Sequence, residues 1–285
     1  MHELIDALRD PAIPFLRYAF LAGLLSSFAF GIVGSYVVTR RLASIAGAIS
    51  HCVLGGIGVA IYLDKQAGLT WLHPMLGATV AALLAAIILG LVTLYARERE
   101  DTVIGALWAI GMAIGLLFLA KTPGYVDPMS YLFGNILMIS RRDLWMIVGL
   151  DAVVAGLGIV LYNRFLAISF DEEFARLRGV RVEAYYLLLL CMTALTVVLM
   201  VSVVGIVMVI ALLTLPAAAA GRFSARMWQM MALAVLFCMA FVGSGLSVSY
   251  VYDLPSGPTI IVIGGAVYLL AALAGKLRRK GFRGA

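Results

Sequence analysis

Long apolar stretches recur along the whole chain, and short polar segments separate them. A helix that crosses a membrane needs about 20 mainly apolar residues, so each stretch predicts one spanning helix. Nine stretches qualify, and they are Phe15–Val38, Leu42–Leu63, Pro74–Ala96, Val103–Ala120, Leu144–Tyr162, Ala184–Val201, Gly205–Ala220, Trp228–Tyr250 and Thr259–Gly275. The sixth and seventh are short and adjacent, so one broken element there would reduce the count to eight. The pattern predicts an all-α, polytopic membrane helical bundle of about eight or nine transmembrane helices.

The composition agrees with this pattern. Hydrophobic residues make up 64% of the 285 residues and charged residues 13%, and the mean hydropathy is +1.06. A soluble domain is about half apolar and a quarter charged, so a disordered chain is excluded and a water-soluble enzyme is disfavoured. The bilayer is the expected surrounding. The longest polar interruption, roughly residues 163–183, is too short for a second domain, so residues 1–285 are predicted to form a single transmembrane domain.

The basic residues predict the orientation. A net charge of +6 could indicate nucleic acid in a soluble protein, but here the bases lie in short loops, so no nucleic-acid partner is expected. Of the 21 Lys and Arg residues, 15 fall in one set of alternate loops and the tail, and 6 fall in the other set. Cytoplasmic loops carry the excess of Lys and Arg. With nine spans, the N-terminus lies outside and the C-terminus lies in the cytoplasm.

Motifs for nucleotide hydrolysis or covalent catalysis are missing from the sequence. It contains no G-x-x-x-x-G-K-[ST] phosphate loop, no H-E-x-x-H metalloprotease motif and no G-x-S-x-G nucleophile elbow. The chain is therefore not expected to be an enzyme. If transport consumes ATP, a separate chain must hydrolyse it.

His51 is the clearest ionisable residue inside a predicted span. It lies about 14 Å along the second helix at 1.5 Å per residue, near the middle of the membrane. Four small residues, Ala43, Gly47, Gly55 and Gly58, share its helix face. Because small residues mark close helix–helix contacts, the imidazole is expected to point into the bundle. It is then either a metal or proton pathway residue, or a hydrogen-bonded packing residue.

Two further features inside the apolar stretches have functional alternatives. Asp151, in the fifth predicted span, is either a second pathway group or a side chain that faces a neighbouring helix dipole. The stretch Tyr131–Ile139 is too short to span a membrane, so it predicts a re-entrant or interfacial helix.

The third predicted cytoplasmic loop contains a short amphipathic helix at about 169–179. Ser169 and Glu172 fit the capping box S-x-x-E, and Gly179 suits the left-handed C′ position. Acidic residues open the helix and basic residues close it, which complements the helix dipole.

The same helix carries an apolar face, formed by Phe170, Phe174 and Leu177 at spacings of four and three. It could lie in the lipid interface, but anionic lipid would repel its acidic end. Docking into a groove of a cytoplasmic protein fits better.

Taken together, these features resemble the permease subunit of zinc/manganese-type ABC importers over almost the whole chain. The stretches that carry the resemblance are Val37-Val38-Thr39-Arg40-Arg41-Leu42 leading into Ile49-Ser50-His51, Tyr131-Leu132-Phe133-Gly134, Phe170-Asp171-Glu172-Glu173-Phe174-Ala175 with Gly179, and Val204-Gly205-Ile206 through Leu213-Thr214-Leu215-Pro216-Ala217.

The resemblance implies a fold similar to that of vitamin B12-type importer permeases in the bacterial cytoplasmic (inner) membrane. It implies two permease copies, a cytoplasmic dimer of ABC ATPases that binds the ATP, and an extracytoplasmic metal-binding protein. A divalent metal ion is the cargo, and this chain holds no cofactor of its own. His51 matches the pathway histidine. The coupling helix seated in the ATPase corresponds to Asp171, Glu172, Glu173, Phe174, Ala175, Arg176 and Gly179.

One departure from the family pattern concerns the metal. The family commonly has an acidic residue four positions before the histidine, where this chain has Gly47. Carboxylates suit manganese, whereas imidazole suits zinc, so zinc is favoured, with manganese or iron as alternatives. Two other functions stay open: a proton-driven secondary transporter with His51 and Asp151 as the relay, and an ABC permease for a chelated metal or siderophore.

Overall fold

The computed structural model of the chain describes residues 14–69, 71–95, 99–124, 132, 134 and 139–281. Within these residues the regular structure is helical. The bounded helices are α1 (Pro14–Thr39), α2 (Ala43–Ala67), α3 (Pro74–Tyr95), α4 (Glu100–Lys121), α5 (Arg141–Val160), α6 (Tyr162–Phe170), α7 (Glu172–Leu177), α8 (Val182–Val204), α9 (Ile206–Ala220), α10 (Met227–Tyr252) and α11 (Ser256–Gly281). The prediction of an all-α polytopic bundle is confirmed.

Seven of the helices in the described part of the chain are long and apolar enough to cross a membrane. The count rises to eight if α5 and α6, which meet at a bend of 69°, form one broken span. The seventh predicted span, Gly205–Ala220, corresponds to α9, which has only 15 residues and falls short of a spanning length. The lower of the two predicted counts is therefore the one that the helices support.

A single residue, Gly205, separates α8 from α9. Its φ of 83° and ψ of 161° lie in a region that is essentially restricted to glycine. The sixth and seventh apolar stretches are thus two helices with a one-residue break. Hydropathy alone leaves this point open, because the apolar pattern continues through the break.

The helices group into two compact units that interleave along the sequence. Unit A comprises Met1–Val38, Asn135–Gly156 and Ala211–Ala285, and unit B comprises Thr39–Gly134 and Leu157–Ile210. In unit A, α1 packs closely on α10, where a Cβ added to Gly31 would lie 2.7 Å from the backbone nitrogen of Val235.

Unit B is built around α2, which packs on α3 and α4 through different faces. A Cβ on Gly55 would lie 2.8 Å from the carbonyl oxygen of Gly111, and one on Gly58 would lie 2.5 Å from that of Gly115. On another face of α2, Gly56 approaches the carbonyl oxygen of Gly77 so closely that any side chain would overlap it. Such backbone approach is the packing mode of small residues in membrane helices.

Candidate functional site

His51 lies on α2 in the middle of unit B, and its side chain is buried with 7% exposure. Its Nδ1 lies 2.9 Å from the carbonyl oxygen of Gly47, one turn earlier. A carbonyl can only accept a hydrogen bond, so this contact assigns the proton to Nδ1 and leaves the lone pair on Nε2. The imidazole is therefore held in the tautomer whose Nε2 is able to bind a metal ion or accept a proton.

Trp108 of α4 covers the histidine ring. The two ring centroids are 4.3 Å apart with an interplanar angle of 28°. A Cβ added to Gly47 would lie 2.7 Å from Cζ3 of Trp108. The indole therefore occupies the space that a side chain at position 47 would need, and the missing family carboxylate and this tryptophan are linked features of the packing.

Trp108 did not emerge from the sequence patterns, although a signal was present. Trp108, Gly111 and Gly115 recur at spacings of three and four, which places them on one face of α4. This face meets Gly47, Gly55 and Gly58 on α2. A search for small-residue stripes on the neighbouring helix would have placed the indole beside His51.

The surroundings of His51 support a packing role directly. The ring has a backbone hydrogen bond within α2 and an aromatic partner on α4, and the Cys52 thiol next to it lies 3.4 Å from the carbonyl oxygen of Leu107. Across the described residues, no group of three or more His, Cys, Asp or Glu side chains could hold a metal ion. A role for His51 in an ion pathway stays a prediction.

Asp151 lies on α5 within unit A, whereas His51 belongs to unit B. The carboxyl group is buried with 9% exposure, and its Oδ1 accepts a hydrogen bond from the backbone N–H of Ala29 on α1 at 3.1 Å. Its Oδ2 is buried and has no hydrogen-bond partner in the described part of the chain. The observed partner is thus a backbone group in the middle of α1, and the pathway role of Asp151 stays a prediction.

The predicted amphipathic helix is present as α7, but its start differs from the prediction. The predicted capping box of Ser169 and Glu172 is wrong, because α6 continues through Phe170 and the Ser169 hydroxyl donates to the carbonyl oxygen of Phe165 at 2.6 Å. The N-cap is Asp171, whose Oδ1 accepts from the backbone N–H of Phe174 at 2.9 Å. Aspartate is among the preferred N-cap residues.

The end of α7 follows the expected glycine motif. Gly179 has a φ of 76°. Its N–H donates to the carbonyl oxygen of Arg176 at 2.9 Å, and the N–H of Val180 donates to that of Ala175 at 3.0 Å. This pair of bonds is a Schellman motif, in which glycine takes the left-handed C′ position.

The apolar face of α7 is largely exposed. Phe170, Phe174 and Leu177 are 70%, 50% and 87% exposed, while Glu172 and Glu173 are also exposed. Within the helix, Ala175 is the buried position. Phe174 and Leu177 on α7, with Phe170 at the end of α6, form an apolar surface that a partner can cover.

Arg40 ties α7 to the rest of unit B. Its guanidinium donates to the carbonyl oxygen of Ile168 at 2.7 Å and forms an ion pair with Glu172. The same group lies over the ring of Tyr186 on α8, 4.7 Å from the centroid. Arg40 is only 10% exposed and lies three residues before the start of α2. The sequence analysis used Arg40 as a base that sets orientation and as part of the family motif, and it did not predict these contacts.

Two of the stretches that carry the family resemblance meet in unit B. Gly134, with a φ of 65°, lies directly against the peptide that joins Val204 to Gly205, where α8 ends. The prediction of a re-entrant or interfacial helix at Tyr131–Ile139 falls mainly on residues that lie outside the described ones.

Comparisons with known proteins identify the family. A profile of the ABC 3 transport family matches residues 12–275. A probable metal transport system membrane protein of Chlamydia muridarum is 40% identical over 263 residues, covering 91% of this chain and 89% of that protein. The manganese transport system membrane protein MntC of Halalkalibacterium halodurans is 31% identical over 258 residues, covering 90% and 86%.

A solved structure agrees with this assignment. PsaBC from Streptococcus pneumoniae, in complex with a Fab, matches with a TM-score of 0.83 and 28% identity, covering 95% of this chain and 94% of that chain. The resemblance noted from the sequence motifs is therefore confirmed. The chain belongs to the ABC 3 transport family, and it is a multi-pass membrane permease subunit of the metal ABC importer type rather than an ATPase.

Proposed function

We propose that this permease imports a divalent transition metal ion by alternating access, powered by ATP hydrolysis on a separate pair of cytoplasmic subunits. The observation that carries the proposal is the contact set of Arg40. It joins the exposed helix α7 to the segment from which α2 starts, and α2 carries His51. A force applied to α7 thereby has a direct mechanical route to the helix that bears the imidazole.

The chemistry of the proposed pathway follows from His51. A neutral imidazole with a free Nε2 is a ligand for a divalent transition metal. One imidazole in each of two permease copies binds weakly compared with a four-ligand zinc site, which suits conduction because the ion must be able to leave. Relatives named for metal and manganese transport support a metal ion as the cargo.

Zinc is the favoured ion in this proposal, with manganese or iron as alternatives. The support is the pairing of Gly47 with Trp108, since the indole fills the space beside the histidine that a carboxylate would occupy. Removal of a hard oxygen ligand lowers the preference for manganese relative to an ion that accepts imidazole. Asp151 is proposed as a second pathway group because its Oδ2 is buried without a partner in the described residues.

The complete transporter in this proposal contains further chains. A second copy of the permease forms a homodimer around the pathway, and an extracytoplasmic metal-binding protein delivers the ion. A dimer of ABC ATPases grips α7 from the cytoplasm, with the C-terminus of the permease on the same side. The exposed Phe174 and Leu177 support a protein partner for α7, because exposed apolar patches rimmed by polar residues mark protein interaction sites.

The test is transport by the reconstituted complex. The permease is placed in vesicles with a candidate ABC ATPase, and accumulation of zinc, manganese and iron is measured with and without ATP. Accumulation is expected only with both the ATPase and ATP, and it should be highest for zinc. Equal accumulation by the permease alone would contradict the ATP-driven mechanism. A preference for manganese would leave that mechanism intact and contradict only the assignment of the ion.

A further inference from the structure

A pocket with three arginines lies at the C-terminal end of α7, and neither His51 nor the exposed Phe174 and Leu177 line it. It is a cavity of about 510 Å³ between the start of α6, the turn after α7 and the first turn of α8. Arg164, Arg178 and Arg181 line it together with Tyr185 and the backbone at Gly179. Its volume falls within the ordinary range for ligand pockets, about 300–1,000 Å³.

The charge of this pocket is not neutralised by the described residues. Two acids of this region, Glu172 and Glu183, pair with other arginines: Glu172 with Arg40, and Glu183 with Arg176 at 2.8 Å. Among the described residues, neither of the two ion pairs involves an arginine of the pocket. Three guanidinium groups around one cavity therefore carry an unbalanced positive charge, which favours an anionic ligand.

Two of the arginines contact aromatic side chains, which position the guanidinium groups but do not neutralise their charge. Arg164 donates a hydrogen bond to the hydroxyl of Tyr185 and lies 5.3 Å from its ring centroid. Arg178 lies 5.1 Å from the ring centroid of Phe174. Arg181 is the N-cap residue of α8 and makes no side-chain cap hydrogen bond. Guanidinium groups held by aromatic rings keep donors that match phosphate oxygens in a bidentate manner.

The position along the chain indicates where the anion comes from. A candidate membrane span begins at Val182, directly after Arg181, and α6 follows the apolar helix α5 at the 69° bend. The pocket therefore lies beside the first residue of one candidate span and the bend that follows another apolar helix, which is where we expect the lipid headgroups. Basic pockets between membrane helices bind anionic headgroups, and each Lys or Arg near an anionic surface contributes about 1 kcal/mol of attraction.

We propose that the pocket formed by Arg164, Arg178 and Arg181 binds the phosphate of an anionic phospholipid headgroup. This site goes beyond the proposed metal transport and does not depend on it. The turn that contains Arg178 and Gly179 closes α7, so a bound headgroup braces the helix at its C-terminal end. Lipid composition would thereby affect how firmly α7 is held, whichever ion is transported.

The test measures lipid binding by the purified full chain. The triple variant R164Q/R178Q/R181Q is compared with the matched control R99Q/R222Q/R226Q, which removes the same charge at exposed positions outside the pocket. Native mass spectrometry counts retained phosphatidylglycerol and cardiolipin, and thermal unfolding is recorded as either lipid is titrated. The pocket variant should need at least about tenfold more anionic lipid for the same stabilisation, and the control should match the wild type.

Three results would overturn the proposal. Equal losses in the pocket variant and the control would mean that the attraction is general rather than local. Displacement of the lipid by inorganic phosphate at an equal concentration would mean that the site reads a free anion. Normal lipid retention with a defect only in ATPase binding would place the arginines in a protein interface. If the triple variant unfolds without lipid, R181Q alone supplies the comparison, because its side chain makes no hydrogen bond or ion pair within the described residues.

Discussion

The surroundings of His51 and of α7 are opposite in character. At His51 a polar side chain is buried among apolar helices and held by Gly47 and Trp108. At α7, Phe174 and Leu177 are exposed on a short helix outside the predicted spans. Each arrangement departs from the usual rule of apolar residues inside and polar residues outside.

In so apolar a chain, a buried polar side chain and a group of exposed apolar side chains are the features that indicate functional sites. A buried imidazole in a membrane is costly unless it has partners, and large apolar side chains exposed on a short helix mark a surface that a partner can cover. Arg40 connects the helix of the buried His51 with the exposed helix α7. It contacts α6 and α8, the elements on both sides of α7, and lies next to the start of α2.

The largest effect is expected from a substitution on the exposed helix α7. In the variant Phe174→Glu, a charge enters the apolar face of α7, and ATP-dependent metal accumulation should fall at least about tenfold because hot-spot contacts carry 2 kcal/mol or more. Co-purification of the ATPase with the permease measures the docking step directly. The control is Phe223→Glu, at a phenylalanine with 60% exposure in the loop after α9. Normal co-purification of the Phe174 variant would contradict docking at α7.

Arg40→Gln tests the link between the two regions. The variant removes the ion pair with Glu172 and the contact over Tyr186, so the ATPase should still bind while metal transported per ATP falls roughly threefold to tenfold, equivalent to about 0.7–1.4 kcal/mol. The measurement is the ratio of ion uptake to phosphate release. Arg41→Gln, at the exposed neighbouring arginine, should retain the wild-type ratio. An unchanged ratio in the Arg40 variant would mean that force does not pass through its contacts.

A third pair of variants separates the two roles of the buried histidine. His51→Ala removes the stack on Trp108, the Nδ1 hydrogen bond to Gly47 and the Nε2 lone pair, whereas His51→Phe keeps an aromatic ring and loses the hydrogen bond and the lone pair. If His51 is a ligand, both variants should lower zinc accumulation severalfold, at a cost of about 1 kcal/mol. Recovery of transport in His51→Phe would show that the residue only fills space.

The smallest expected effect concerns the choice of ion. Gly47→Asp alone forces a side chain against Trp108 and should destabilise the permease by about 1–3 kcal/mol, as overpacking does. Adding Trp108→Ala makes room, so the double variant should recover part of its thermal stability. The manganese-to-zinc uptake ratio should then rise a fewfold because a carboxylate suits manganese. A ratio equal to that of the wild type would mean that Gly47 and Trp108 do not determine which ion is transported.

The sequence alone predicted the helical bundle, because a helix that spans a membrane needs an apolar stretch long enough to be recognised in the sequence. It also predicted the role of Gly179, because glycine is the residue that most often takes the left-handed C′ position at the end of a helix. It misplaced the N-cap of α7 because Ser169 and Asp171 are both good caps, and the choice depended on where α6 ends. It missed Trp108 and the contacts of Arg40, because these partners are distant in sequence and are brought together only by packing.

The contact between Trp108 and position 47 also constrains how this lineage can change. An acid introduced first meets the indole, and an indole trimmed first leaves a void beside the imidazole. Each single step should lower stability and the double change should restore part of it, a case of sign epistasis. A change from glycine to an acid at position 47 would therefore need a change at position 108 to accompany it.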